Sequence, residues 1–279
     1  MTSDHAHRSP TQCPRLIALD MDGTLLDGDG NIPESFWQLL ATAQDRGIAI
    51  APASGRQLAT LRDMFSSDAD GAMPSTFIAE NGTVVFHRGE VIDTTPIAPA
   101  DVHRLLTAAS HISAPHDIVL CSPECAFTTT GPSEKALEEM GNYYHALAEV
   151  DDLSAVADSE TITKVATLCF DGTEEHVAPI YERELSGLNI AVSGQIWVDV
   201  MAEGADKGAA LRHLADKLEI AVEDTAAFGD FLNDYELLQA AGTAVAMDNG
   251  HQRLKDIADR IAPPNTEHGV IQVLEEWLG

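Results

Sequence analysis

RLIALDMDGT, residues 15–24, is the stretch on which the fold of this chain turns. Its first half is a short apolar run, and the run ends in an acid. A run of that length without polar alternation suits a strand buried on both faces, as in a parallel sheet. Pro33 then opens a predicted helix with Phe36, Leu39, Leu40 and Ala43 at helical spacing. GIAIAPAS (47–54) reads as a second strand, and a helix is expected over about 57–65. TFIAENG (76–82) leads into a hairpin turned at Arg88-Gly89. This order is βαβαβ, which predicts a mostly parallel sheet with helices on its faces.

The middle of the chain differs. A helix over 99–110, strands DIVLCS (117–122) and CAFTTT (125–130), and a helical stretch over 132–147 are expected. KVATLCF (164–170), a helix over 174–186, NIAVSG (189–194) and IWVDVM (196–201) follow. Strands that follow one another directly suit an α+β layer. Alternation resumes with a helix over 207–219, TAAFGD (225–230), a helix over 233–240, GTAVAM (242–247), and helices over 251–258 and 267–278. The expected fold class is α/β: a doubly wound, mostly parallel Rossmann-like core sheet with an inserted α+β cap. Residues 1–14 are expected to be a flexible tail, 15–86 and 195–279 the core, and 87–194 the cap.

Composition narrows the partners. The 279 residues hold 16 Lys and Arg against 45 Asp and Glu, a formal charge of −29. Such a surface repels nucleic acid and anionic lipid, so neither is expected as a partner. No apolar run approaches the roughly 20 residues that span a bilayer. Cys13, Cys121, Cys125 and Cys169 form no CxxC pair, which fits reduced thiols and a cytoplasmic location. An anionic substrate entering so acidic a protein needs a lysine or a metal ion at its site.

Four segments sit just beyond predicted core strands or at a helix start, at the edge where open α/β sheets bind ligands. In DMDGT (20–24) the acids Asp20 and Asp22 are two residues apart and face one volume in extended backbone. Crowded carboxylates need a cation between them or a shared proton, and either arrangement supports attack on phosphorus and proton transfer. The same residues would also make a plain Asp/Gly turn. Ser54 and Gly55 in ASGR (53–56) can bind a phosphate oxygen or simply cap a helix. Lys207 in GADKGAAL (204–211) can reach a phosphoryl group or lie in solvent. In GDFLND (229–234), Asp230 can supply an oxygen ligand to magnesium with Asp20, and Asn233 and Asp234 lie three and four residues on at one face of a helix start, or the cluster can simply cap that helix. Asn81, after the third strand, could touch substrate or serve a turn.

The joint order of these segments resembles the haloacid dehalogenase superfamily of phosphatases, most closely its Cof-type subgroup, which carries a large cap between the second and third motifs. AENG (79–82), AMDNG (246–250) and EHGV (267–270) are similar to segments that recur there. The resemblance implies a catalytic Asp20 that becomes an aspartyl-phosphate and an Asp22 that serves as general acid and base. It implies Mg2+ held by Asp20, the backbone carbonyl of Asp22 and Asp230, with Asp234 supporting directly or through water. Ser54, Gly55, Lys207 and Asn233 match its phosphate binders. Its implied activity is hydrolysis of a small phosphorylated metabolite, such as a sugar phosphate or a flavin mononucleotide or pyridoxal phosphate type of cofactor, with the cap supplying specificity. A phosphomutase and a phospho-accepting regulator are the alternatives that use the same pocket.

Overall fold

The computed structural model describes residues 13–66 and 73–279. The tail expected over 1–14 therefore lies outside the described residues except for Cys13 and Pro14. The chain begins with β1 (Leu16–Asp20), α1 (Ser35–Asp45), β2 (Ala49–Ala53), α2 (Leu58–Phe65) and β3 (Thr76–Ala79). The hairpin β4 (Val84–His87) and β5 (Glu90–Thr94) turns at Arg88 and Gly89, both at positive φ as its two-residue turn demands. Next come α3 (Pro99–Ala109), β6 (Asp117–Cys121), β7 (Ala126–Thr129), α4 (Glu134–Gly141), β8 (Leu147–Val150) and α5 (Leu153–Ser159). After these lie β9 (Lys164–Leu168), α6 (Thr173–His176), α7 (Ala178–Glu184), β10 (Leu188–Val192) and β11 (Trp197–Ala202). The chain ends with α8 (Lys207–Lys217), β12 (Thr225–Gly229), α9 (Tyr235–Ala240), β13 (Thr243–Met247), α10 (Gln252–Lys255), β14 (Arg260–Ala262) and α11 (Gly269–Leu278).

These elements form two compact units. The first holds the described residues up to Ala53, the start of β3 through Phe77, and Lys207–Gly279. Its strands lie in the order β14-β13-β12-β1-β2, and each neighbouring pair is parallel. Every residue of β1, β12 and β13 is buried, which explains their unbroken apolar runs. Helix α1 buries Phe36, Leu40 and Ala43 and packs on α11, while α8 packs on α9. Chain order reverses between β1 and β12, so a topological switch point opens at their carboxyl ends.

The second unit holds 54–66 and 78–206. Its six-stranded sheet runs β10-β11-β9-β6-β7-β8, antiparallel except for the β7–β8 pair. One face packs Leu120, Val165, Val198 and Val200 against Val102, Leu105, Val156 and Tyr181 of α3, α5 and α7. The other packs Cys121, Ala166, Leu168 and Trp197 with Met140 of α4 and with Tyr144.

Several expectations are corrected. The core does not resume at 195: β11 pairs with β9 and β10, and the first unit resumes at Lys207. Residues 54–66 and 78–86, expected in the core, group with the second unit. The helix expected over 132–147 stops at Gly141, because residues 147–150 pair beside β7 as a parallel strand. The helix expected over 251–258 is one turn long, and β14 follows it. Among the described residues, no helix is long and apolar enough to cross a membrane.

Candidate active site at the switch point

The site begins where β1 runs out. Asp20 is the last residue of β1 and still has extended backbone, φ −61° and ψ 159°. The chain then makes a single wide turn, closed by the Leu26 N–H donating to the Met21 carbonyl at 2.9 Å. Met21 is buried and Asp22 is exposed. Gly23 sits at φ +78°, and a Cβ there would lie 2.3 Å from Asp230 Oδ2. A side chain at 23 is thus excluded twice, by the backbone angle and by the neighbouring carboxylate. Thr24 Oγ1 is 3.4 Å from Asp230 Oδ1.

The adjoining strand β12 ends at Gly229, and Asp230 follows it. Asp234 closes this second loop. Its Oδ2 accepts from the backbone N–H groups of Asp230 at 3.1 Å and Phe231 at 3.3 Å. Gly229 makes room for it, since a Cβ there would lie 2.5 Å from Asp234 Cβ.

Lys207 joins the two loops. Its side chain is fully buried, and its ammonium donates to Asp20 Oδ1 at 2.6 Å and to Asp234 Oδ1 at 2.7 Å. Burial alone would lower the pKa of this lysine, but Asp20 and Asp234 outweigh burial and hold it above the usual range. Asp20 is pushed well above the ordinary carboxylate range, chiefly by burial and then by Asp234, with Lys207 opposing. Asp230 is raised to about 7 by burial and Asp234, against the pull of Lys207.

The structure thus brings together four of the residues predicted from sequence: Asp20, Lys207, Asp230 and Asp234. Asp22 is close enough to raise the pKa of Asp230. Asn233 is half-buried in the short turn Leu232–Asp234. Ser54, Gly55 and Asn81 belong to the second unit. There the Ser54 hydroxyl accepts from the Arg56 N–H at 3.2 Å, and the Asn81 amide donates to Asp199 Oδ2 at 2.7 Å.

Two residues to which the sequence reading assigned no role complete the first loop. Asn249 Nδ2 donates to the Gly23 carbonyl at 2.8 Å, and its Oδ1 accepts from the Asn265 N–H at 3.0 Å. Asn265 Nδ2 donates to the Leu26 carbonyl at 2.8 Å. The AMDNG segment was the available signal for Asn249.

One oxygen from each of Asp20, Asp230 and Asp234 lies within 4.8 Å of the others. Three carboxylates around one lysine leave uncompensated negative charge in a buried space, and an all-oxygen donor set suits a hard divalent cation. Asp20 and Asp230 are the fitting direct ligands. Both oxygens of Asp234 are already committed to Lys207 and to backbone N–H groups.

A doubly wound sheet with acids and a buried lysine at its switch point defines an α/β enzyme that works at that edge. This chain belongs to the haloacid dehalogenase-like hydrolases, whose family model matches residues 17–274. The Bacillus subtilis protein YkrA is 30% identical over 262 residues, covering 94% of this chain and 97% of YkrA. The 5-amino-6-(5-phospho-D-ribitylamino)uracil phosphatase YcsE of the same organism is 28% identical, covering 95% and 96% of the two chains. A crystal structure of SMU.1108c from Streptococcus mutans superposes with a TM-score of 0.84 at 26% identity, covering 95% of this chain and 99% of that one.

Proposed function

We propose that this chain is a magnesium-dependent phosphatase that hydrolyses a small phosphate monoester through a phosphorylated Asp20. The observation that carries the reading is the convergence of Asp20, Lys207, Asp230 and Asp234 at the switch point. An Asp20 oxygen forms a bond to phosphorus as the bond to the leaving oxygen breaks. The Asp22 carboxyl donates its proton to that leaving oxygen, and the alcohol departs. Asp22, now a carboxylate, takes a proton from water, whose oxygen attacks phosphorus. The Asp20–phosphorus bond breaks and inorganic phosphate is released, which splits one hard displacement into two easier ones.

Lys207 orients Asp20 for attack and supplies positive charge to the phosphoryl oxygens. Asp234 holds Lys207 on one side and the Asp230 loop on the other. Mg2+ would be held by Asp20, Asp230 and the Asp22 backbone carbonyl, with Asp234 supporting. When bound, it neutralises charge between Asp20 and an anionic substrate. Ser54, with Gly55, is assigned to bind a phosphate oxygen, as is Asn233.

The phosphoribityl substrate in the name of YcsE supports a phosphorylated sugar or sugar alcohol carried on a small metabolite. Four free cysteines suit a reducing, cytoplasmic setting. The test is a panel of phosphate monoesters assayed with magnesium and with chelator. Release of inorganic phosphate from at least one, abolished by the chelator, is the expected result. Equal turnover in chelator would refute magnesium dependence.

A further inference from the structure

A second buried charge cluster lies wholly within the second unit. Its centre is Lys164, the first residue of β9, which is 1% exposed. Side chains alternate along a strand, so Lys164 shares a face with Ala166 and Leu168, against Cys121, Tyr144 and Trp197. Pairing places Lys164 opposite Met201 of β11, two residues from Asp199 on that same face. The ammonium lies 2.5 Å from Glu80 Oε2 and 3.7 Å from Asp199 Oδ1, and it donates to the Gly55 carbonyl at 2.7 Å. A buried lysine with three such partners is fully employed and does not serve solvent.

The partners mark what it holds. Glu80 and Asn81 are consecutive non-glycine residues in the left-handed region, at φ 52° and 54°. Asn tolerates that region and Glu does not do so readily, so the turn persists only because its surroundings impose it. Glu80 N–H donates to the Arg56 carbonyl and Asn81 N–H to the Ser54 carbonyl, each at 3.0 Å. The Asn81 amide also lies on Gly55, where an added Cβ would be 3.1 Å away, and it donates to Asp199. The Ser54–Arg56 loop and the Glu80–Asn81 turn are thus stitched together through their backbones. Lys164 and Asp199 clamp both from the sheet. Neither carboxylate oxygen of Glu80 has a hydrogen-bond partner among the described residues, so the ion pair with Lys164 supplies the compensation for this buried carboxylate.

We infer that Lys164 is a positioning residue, which fixes the Ser54–Arg56 loop through the Gly55 carbonyl and Glu80 and so sets its affinity for phosphate. This rests on the proposed reading of Ser54 as a phosphate binder. The cluster remains ionised at the lysine: burial lowers its pKa, but Asp199 and Glu80 outweigh burial and hold it well above the usual range.

The test compares Lys164→Met, Lys164→Met/Glu80→Gln and Ser54→Ala with the parent, all with magnesium and below their melting temperatures. The paired variant removes the buried Glu80 charge, so it folds where the single one fails. Amide exchange is read over 54–57 and 80–83, and inorganic phosphate is used as an inhibitor of phosphate-ester hydrolysis. The expected result is faster exchange in both segments and inhibition weakened about tenfold, the loss of one charge-assisted hydrogen bond. Adding Ser54→Ala to the lysine variant should then weaken inhibition less than it does in the parent. Unchanged exchange in the two segments overturns the inference. Weakened inhibition in Ser54→Ala but not in the lysine variants overturns the inference alone. Inhibition unchanged in all of them overturns the phosphate-binding reading of Ser54 and the inference with it.

Discussion

Lys207 donates to Asp20 Oδ1 at 2.6 Å across 187 residues of sequence, with its side chain fully buried. The same ammonium bonds Asp234, so one lysine compensates two carboxylates from two loops. Lys207→Met leaves both uncompensated. Removing one partner of a buried ion pair costs about 3–5 kcal/mol. Denaturant unfolding in chelator should show a loss of that size, and phosphatase turnover should be abolished. A stability change under about 0.5 kcal/mol, the range of an ordinary surface substitution, would contradict the buried placement.

Gly23→Ala tests the approach of Asp230 to the first loop. The new Cβ would stand 2.3 Å from Asp230 Oδ2 on a residue at φ +78°. The backbone strain costs about 1 kcal/mol and the carboxylate must move. Magnesium affinity, read by calorimetry, should fall about tenfold, since each 1.4 kcal/mol is a factor of ten. Unchanged affinity would show that Asp230 does not need that position.

Proton and metal should compete at the acidic cluster. The pKa of Asp20 is raised well above, and that of Asp230 to about 7, chiefly by burial. Each binds a proton more tightly folded than unfolded. The stability this confers is complete below the unfolded carboxylate value of about 4, and it is lost as pH rises through about 7 at Asp230. In chelator, the unfolding midpoint should therefore fall as pH rises from about 5, one unit above the unfolded value, to about 8, one unit above the raised value. Added magnesium should restore it more at the upper end than at the lower. A magnesium effect that grows toward acid pH would contradict this.

Asn249→Ala should act on the first loop without touching its acids. It removes the bonds to the Gly23 carbonyl and from the Asn265 N–H. Two such bonds are worth about 1 kcal/mol each at most on this exposed side. A several-fold drop in kcat, with magnesium affinity reduced less than in Gly23→Ala, is expected from steady-state kinetics and calorimetry.

Much of the first unit was legible because β1, β12 and β13 are short apolar runs with an acid at or just after their ends. β1 and β12 are buried throughout, and that burial wrote the runs. β8 and β14 were not legible. LAEV is only half-buried and RIA has three residues, and each becomes a strand by pairing with β7 or β13. IWVDVM reads as a strand in either sheet, and only its pairing with β9 and β10 assigns it. Asp20, Lys207, Asp230 and Asp234 stand out in the sequence by residue type and order. That Asp234 serves a lysine and two backbone N–H groups depends on a loop conformation that no spacing encodes. Asn249 acts on a backbone carbonyl distant in sequence, and Lys164 acts within another sheet. Neither carries a local pattern of its own.

Asp20 is the group proposed to take the phosphoryl. The most direct measurement is acid-quenched turnover of a phosphate ester with magnesium, followed by mass mapping of the peptide that contains Asp20, in the parent, Asp22→Ala and Asp20→Asn chains. Phosphate is expected on Asp20 in the parent, more of it in Asp22→Ala, and neither phosphate nor turnover in a folded, magnesium-binding Asp20→Asn chain. Turnover near the parent rate in Asp20→Asn would contradict that role.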